Sequence, residues 1–518
     1  MTAQEYVAIA AACDQLLQAP GADLERLAVP LLHLIKEHPS WLRQYAPPAH
    51  IPVAGTSRPP ARALAATAGA ALRALLRAVR QTLAGMAGAA SGPPTRVLLV
   101  SHLTSPAQLQ GRDDAYFGSL QQLLQARGIA STLVLIDHLR DAAARRECTA
   151  HPRLAQQQLL PRAVPLATEL KIWWRCLRAR RRLRREARTA TDPWVRSIAA
   201  LAARDIVQGQ TLANLRVHET LARICARLKP AIVITTHEGD ACERLIWHAA
   251  RTLLRPPLCV GYQHALLPQH AHAIRRCLGG PQGASDPDVI LTLGRMSHAA
   301  LAASPNLRGV RLIEYGSHRH ARVRVHPPWS DRPRQCLVLP DAEESECVLL
   351  FGFALDCAQR CPEMTFVLRP HPIVEFAGLA HRHPTLRLLP PNVRISSLAL
   401  VQDCVQARYC LYRGSSAALH AVLFGAKPFY LARLEELVFD PLFTLGEWRE
   451  TVNSPQEFVH RALRADAVPD PGAAQRARDE CDRYICAVRP GAIDELLALA
   501  ESSHRGEALN GEFRDRFA

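Results

Sequence analysis

The chain alternates short runs of Val, Ile and Leu with stretches at helical spacing, and it does so in two series. A short run that is apolar at every position has no face left for water. Such strands belong in parallel sheets covered by helices on both sides. Arg96-Val97-Leu98-Leu99-Val100 is the first run, and Tyr116 to Arg127 follows at helical spacing. Ser131 to Asp137 then closes a strand–helix–strand unit, which requires parallel pairing. A helical stretch from Ile198 to Leu228 leads to further strands at Ala231–Thr236, Pro257–His264, Asp288–Gly294 and Gly309–Ile313.

His326 to Pro333, with three prolines, reads as a linker. A second series begins at Cys336–Pro340. Its helix is expected over Glu346–Arg360, and its strands at Met364–Leu368, Leu386–Leu389, Ala407–Tyr412 and Pro428–Leu431. At 518 residues the chain exceeds what one core organises. The expected division is a helical N-terminal region over 1–93, a Rossmann-like unit over 94–325, a second over 326–470, and C-terminal helices over 471–518. Arg62 to Ala90 has helical composition, weakened by Gly69, Gly85 and Gly88. The charged tail from Ser454 onward is expected to be helical and to pack back on the first half.

Two strand ends carry the chemistry. Phe366-Val367-Leu368-Arg369-Pro370-His371-Pro372 runs from an apolar strand into a turn that offers Arg and His. Cys410-Leu411-Tyr412-Arg413-Gly414-Ser415-Ser416 runs into Gly and two hydroxyls at the start of a helix. Ligands of open α/β sheets bind beyond the carboxyl ends of strands. A helix start with Gly and Ser suits an anion, as does an Arg fork. The two motifs therefore predict a phosphate crevice, most simply that of a nucleotide. Each also has a plainer reading, as a proline-rich loop and as an ordinary N-cap.

In the first series, Glu238 lies at a strand end in His237-Glu238-Gly239-Asp240 and is a candidate base. Asp240 and Glu243 fit a helix-capping role better than Glu238 does. Gln263 and His264, at the polar end of the strand Pro257–His264, and Asp114, in the first strand–helix loop, are candidate acceptor contacts, although His264 also reads as a simple cap on the strand end. No Gly-x-Gly-x-x-Gly follows a strand, and no Gly-Lys-Ser/Thr loop, Ser nucleophile elbow or His-Glu-x-x-His is present. No metal or other cofactor is expected.

The net charge of +16 has a location. Lys171 to Arg188 holds nine basic residues against one acid, Glu186, which is half of the total. Trp173 and Trp174 lie among them. A basic helix with Trp suits an anionic membrane, nucleic acid, or plain solvation. Fifteen scattered cysteines without a Cys-x-x-Cys pair read as reduced thiols. With no signal-like N-terminus and no long apolar span, a cytoplasmic protein is expected, held peripherally at the inner face of the membrane.

The motifs LRPHP (Leu368 to Pro372) and RGSSAALHAVLFGAKP (Arg413 to Pro428) resemble the HP and SS motifs of bacterial capsule-type and sialyltransferase-like glycosyltransferases of the GT-B fold. Polysialyltransferases and capsule Kdo transferases carry similar elements. Leu339 to Phe366 resembles the opening of their C-terminal domain, with Ser345-Glu346 within it. Residues from His237 to Pro268 look similar to uncharacterised surface-carbohydrate biosynthesis proteins.

The resemblance implies an α/β protein of two Rossmann-like domains facing a cleft, with a helical N-terminal extension. The first domain would bind a glycan or lipid-linked acceptor through Gln263, His264 and Asp114. The second would bind a nucleotide sugar, of the CMP-sugar kind, through Arg369, Pro372, Arg413, Gly414, Ser415, Ser416 and Glu346. Glu238 and His371 would be catalytic, although His237 stands where the family has a second acid. The activity implied is a glycosyltransferase of capsule, O-antigen or lipooligosaccharide synthesis, with no nucleic-acid partner. The rivals are a GT-B sugar-nucleotide 2-epimerase and a non-catalytic assembly protein at the membrane.

Overall fold

A computed structural model of the chain describes residues 1–34 and 37–45, the helical positions 76, 78 and 79, and residues 94–504 apart from 112, 140–141, 150, 152–156, 308, 319–326, 435 and 468–469. The helix expected over Arg62–Ala90 lies almost wholly outside these residues.

Two parallel sheets organise the chain. The first holds β1 (Val97–Leu103), β2 (Ser131–Asp137), β3 (Gln158–Leu159), β4 (Ile232–Thr236), β5 (Leu258–Tyr262), β6 (Val289–Thr292) and β7 (Arg311–Glu314), in the order β3-β2-β1-β4-β5-β6-β7. The second holds β8 (Gln335–Leu339), β9 (Thr365–Leu368), β10 (Val393–Ile395), β11 (Tyr409–Tyr412), β12 (Lys427–Leu431) and β13 (Glu450–Val452), in the order β10-β9-β8-β11-β12-β13. Every pairing within both sheets is parallel. Both are therefore doubly wound, Rossmann-like sheets. Strand order reverses beside β1 in one and beside β8 in the other.

The apolar runs are buried on both faces, as expected of central parallel strands. Val97 to Val100 and Cys336 to Leu339 are all enclosed. Each fully buried Val or Leu contributes about 1.5–3 kcal/mol before the cost of ordering it. One apolar cluster includes Leu99 and Val260 of the first sheet, Leu337 and Tyr412 of the second, and Leu496 of the last helix.

Local outcomes differ from expectation in a few places. Leu386–Leu389 is not a strand. Its first residue ends a short 3-10 turn, Leu388 is 87% exposed, and Pro390-Pro391 delay the strand to Val393. The helical stretch Ile198–Leu228 is two helices, Pro193–Asp205 and Gly209–Leu228. The linker around Trp329 is packed, with its indole set edge-on against Tyr409 and Trp448. The helix Gly491–His504 does return to the first half, where Arg311 pairs with Glu495 at 2.6 Å and Arg96 with Glu501 at 2.5 Å.

The N-terminal helix Ala3–Gln18 starts on a Thr2/Glu5 capping box and buries Ile9, Cys13 and Leu16. Its cluster also includes Ile198 and Ala202 of the helix Pro193–Asp205. The segment after it reaches the second half, where His38 stands 3.4 Å from Glu346 and Trp41 Nε1 donates to Glu343 at 2.8 Å. All fifteen cysteines are free and thirteen are buried. No helix among the described residues is long and apolar enough to cross a membrane.

Candidate active site

In the second sheet, Leu339 and Tyr412 are register partners, as are Val338 and Leu368. The three loops that leave β8, β9 and β11 therefore emerge side by side, on strands about 4.8 Å apart. They carry Asp341, Arg369–His371 and Arg413–Ser416. Gly414 has φ +64, and a Cβ there would lie 2.6 Å from the Phe439 ring and 3.5 Å from Asp341 Oδ2. The backbone turns sharply at that point, with Ser415 N–H donating to the Arg413 carbonyl at 2.7 Å.

Neither serine hydroxyl is spent on the fold. Ser416 stands at the N-cap of the helix Ala417–Leu423 without a side-chain capping bond. Neither hydroxyl has a hydrogen-bond partner among the described residues. Ser416 is exposed and Ser415 is buried.

His371 is half-buried, and the Ile373 N–H donates to its Nδ1 at 3.4 Å. The neutral ring so bonded carries its proton on Nε2, ready to donate. Burial lowers the pKa of His371, and the nearby Asp341 carboxylate opposes that by favouring the imidazolium. Pro372 beside it is exposed.

The two arginines are anchored. Arg369 Nη1 donates to Asp403 at 2.6 Å, to the Leu398 carbonyl at 2.7 Å and to Ser396 at 3.2 Å. Arg413 is 1% exposed. It donates to Glu346 at 2.8 Å, Glu436 at 2.7 Å and the Leu431 carbonyl at 3.0 Å, and its guanidinium lies over Phe439. Glu346 is thereby engaged by Arg413 and His38. Burial works to raise its pKa, but these two partners outweigh it and hold the carboxyl below its usual range. Arg413 and Glu346 thus brace the loop from beneath and present no free fork or carboxylate.

The first sheet builds a different mouth. His102 of β1 bonds across the switch point to Thr236 of β4 through Nε2 at 2.9 Å, and to His138 through Nδ1 at 2.9 Å. Burial, with His138 and His264 adding to it, pushes the pKa of His102 down to about 3. Burial lowers His138 as well, against Asp137. Tyr116 stands edge-on to both His102 and His264. His264 Nε2 lies 3.4 Å from Glu238 Oε1, and the Glu238 side chain is 45% exposed. Glu238 therefore reaches solvent at the strand ends, with an imidazole beside it.

The turn that carries Glu238 is held from behind. Glu243 accepts the backbone N–H groups of Glu238, Gly239 and Asp240 at 2.8–3.0 Å. Asp240 caps the helix Ala241–Ala250. His237 is buried, 3.3 Å from Glu243 and edge-on to Trp247, so it does not stand in the mouth as a second acid would.

Gln263 is buried and its amide is used internally. Nε2 donates to Ala265 O and Ser297, and Oε1 accepts from Leu293 N–H. Asp114 accepts from Ser101 at 2.9 Å and from the N–H groups of Tyr116 and Phe117. Both are framework residues here, whereas His264 faces the mouth. Among the described residues no three metal-ligating side chains gather as a metal centre.

Sequence reading missed Asp341, His38, His102, His138 and Tyr116. Asp341 had a signal, since it directly follows the strand Cys336–Pro340. His102 also sits at a strand's carboxyl end. Nothing local marks His38 or Tyr116.

No protein-family model matches the chain, and no curated protein matches it. Among solved structures it is similar to the glycosyltransferase SnogD from Streptomyces nogalater, at 15% identity over 78% of this chain and 100% of that one, TM-score 0.44. It is similar to CalG4, the calicheamicin glycosyltransferase, at 14% identity over 80% of this chain and 100% of that one, TM-score 0.45. The UDP-GlcNAc 2-epimerase from Neisseria meningitidis bound to UDP-GlcNAc is similar at 13% identity, over 78% of this chain and 99% of that one, TM-score 0.45. The class of the fold, two Rossmann-like α/β units, rests on the strand orders above.

Proposed function

We propose that the chain is a GT-B glycosyltransferase that takes a nucleotide-activated sugar, of the CMP-sugar kind, at the second switch point. Its acceptor is a glycan or lipid-linked glycan of bacterial surface polysaccharide synthesis, bound at the first. The observation that carries the reading is the convergence of His371, Asp341, Gly414 and two unspent serine hydroxyls beyond β8, β9 and β11. That constellation offers donors to one phosphate, with Arg369, held through Nη1, on the same loop as His371.

In the transfer, the Glu238 carboxylate takes the proton of the acceptor hydroxyl, and His264 holds that carboxylate in place. The acceptor oxygen bonds to the anomeric carbon, and the bond from that carbon to the phosphate oxygen breaks. The electron pair leaves with the nucleotide phosphate. His371 Nε2–H, Ser415 and Ser416 donate to the oxygens on which this charge develops, where preorganised donors lower the barrier most.

The test is thermal unfolding with CMP, CDP and UDP. A ligand selective for the native state stabilises it by about 2.7 kcal/mol at a hundred times its Kd. CMP is expected to raise the Tm most, and no rise with any of the three rejects the reading. Incubation with the sugar nucleotide alone separates transfer from 2-epimerisation, because an epimerase needs no acceptor.

A further inference from the structure

The helix Leu166–Thr189 is 24 residues long, about 36 Å at 1.5 Å per residue. Its inner stripe, Glu169, Ile172, Cys176, Ala179 and Leu183, is buried, largely in the cluster that includes Ile198 of the helix Pro193–Asp205. The two helices pack along each other, and this pair forms an outer layer over the first half.

The opposite stripe is unusual. Trp174 is 56% exposed, Leu170 52% and Leu177 45%. Around them stand Lys171, Arg178, Arg181, Arg184, Arg185 and Arg188. None of these six pairs with an acid among the described residues, whereas Arg175 and Arg182 on the flanks pair with Glu25 and Asp23. At 100° per residue all nine side chains fall within about 80° of Trp174. Arg178 lies over the Trp174 ring, 4.6 Å from its centroid.

Solvation alone explains the arginines but leaves three large apolar side chains in water on the same stripe. Nucleic-acid phosphates would meet the arginines but give Leu170 and Leu177 nothing to bury against. An anionic bilayer satisfies both: Trp and Leu enter the headgroup–acyl boundary while the basic side chains meet lipid phosphates. We propose that this stripe docks the protein peripherally on an anionic lipid bilayer, with Trp174, Leu170 and Leu177 inserted. The inference stands apart from the donor reading, because it needs neither nucleotide nor transfer.

Flotation of the full chain with vesicles at ~0.15 M salt tests it, using phosphatidylcholine alone and phosphatidylcholine with about 30 mol% phosphatidylglycerol. Binding is expected on the mixed vesicles and not on the neutral ones. Each basic residue near an anionic surface is worth about fivefold in affinity, so Arg181→Ser with Arg185→Ser should weaken binding about 25-fold. Trp174→Ser should weaken it as well, and all these positions are exposed, so the Tm should stay unchanged. Three outcomes overturn the proposal: no binding to the mixed vesicles, equal binding to both kinds, or double-variant binding within twofold of the parent. Displacement from the vesicles by an equimolar single-stranded oligonucleotide also overturns it, and would assign the stripe to nucleic acid.

Discussion

The two sheets share one winding pattern but handle charge at their strand ends in different ways. Beyond β1 and β4, His102 bonds to His138 and Thr236 with burial holding it uncharged, Tyr116 stands edge-on to His102 and His264, and the Glu238 carboxylate reaches solvent beside His264. Beyond β8 and β11 full charges are present. Arg413 is locked to two acids and Arg369 is held through Nη1 by Asp403, while two serine hydroxyls and one imidazole are left unspent. The same topology therefore gives two mouths with different polar groups left at their strand ends. The difference lies in which polar groups the fold consumes.

The sharpest way to break the contrast is to remove the buried arginine. Arg413→Leu leaves Glu346 and Glu436 without their main cation. It should destabilise the protein by about 3–5 kcal/mol, read by urea unfolding. A change below about 1 kcal/mol would mean the pair network does not hold the loop.

His371→Ala tests the outward-facing group. It should lower kcat by about 10²- to 10³-fold, the usual cost of one donor to developing charge, while the Tm stays within about 1 °C. An unchanged kcat would remove His371 from the chemistry.

Two glycines sharpen the comparison. A Cβ at Gly239, with φ +89, would lie 2.4 Å from the backbone carbon of Ala273. At Gly414 the nearest atom, 2.6 Å away, belongs to the Phe439 ring, a side chain and not backbone. Gly239→Ala should therefore cost about 3 kcal/mol and Gly414→Ala about 1–2 kcal/mol. Equal costs would show that the ring is as immovable as the backbone.

The last test is in pH. His102 titrates near 3 in the folded chain and near 6.5 unfolded, so below 6.5 the unfolded state binds a proton that the native state refuses. Stability from this imidazole is complete above pH ~6.5 and falls as the pH drops toward ~3, by about 1.4 kcal/mol per unit. His102→Gln should flatten the Tm profile between pH 6.5 and 4.5. Identical slopes would show that the ring titrates freely.

The fold was legible because its strands are short apolar runs, a pattern that survives without any tertiary information. The misplaced strand at Leu386–Leu389 fell to a leucine pair in a proline-rich loop, and β3 and β13 are two- and three-residue edges too short to show a pattern. His371, Gly414 and the serines were legible as strand-end turns. Arg413 and Gln263 looked equally functional, and nothing local distinguishes them. The partner that consumes Arg413 is 67 residues away, and the group that accepts from Gln263 at Ser297 is 34 away. Whether a polar side chain is offered or spent is decided by tertiary pairing, which a single sequence does not display.

The return of Gly491–His504 to the first sheet sets a schedule for the ribosome. Arg96 pairs with Glu501 across 405 positions, and the last strand of that sheet, β7, ends at Glu314. Between them the whole second sheet must be synthesised. At 5–20 residues per second the first half waits about 10–40 s with that flank uncovered, long enough for a nascent-chain chaperone to bind. The second sheet, whose strands and covering helices through Pro455–Ala467 are consecutive, has no such wait.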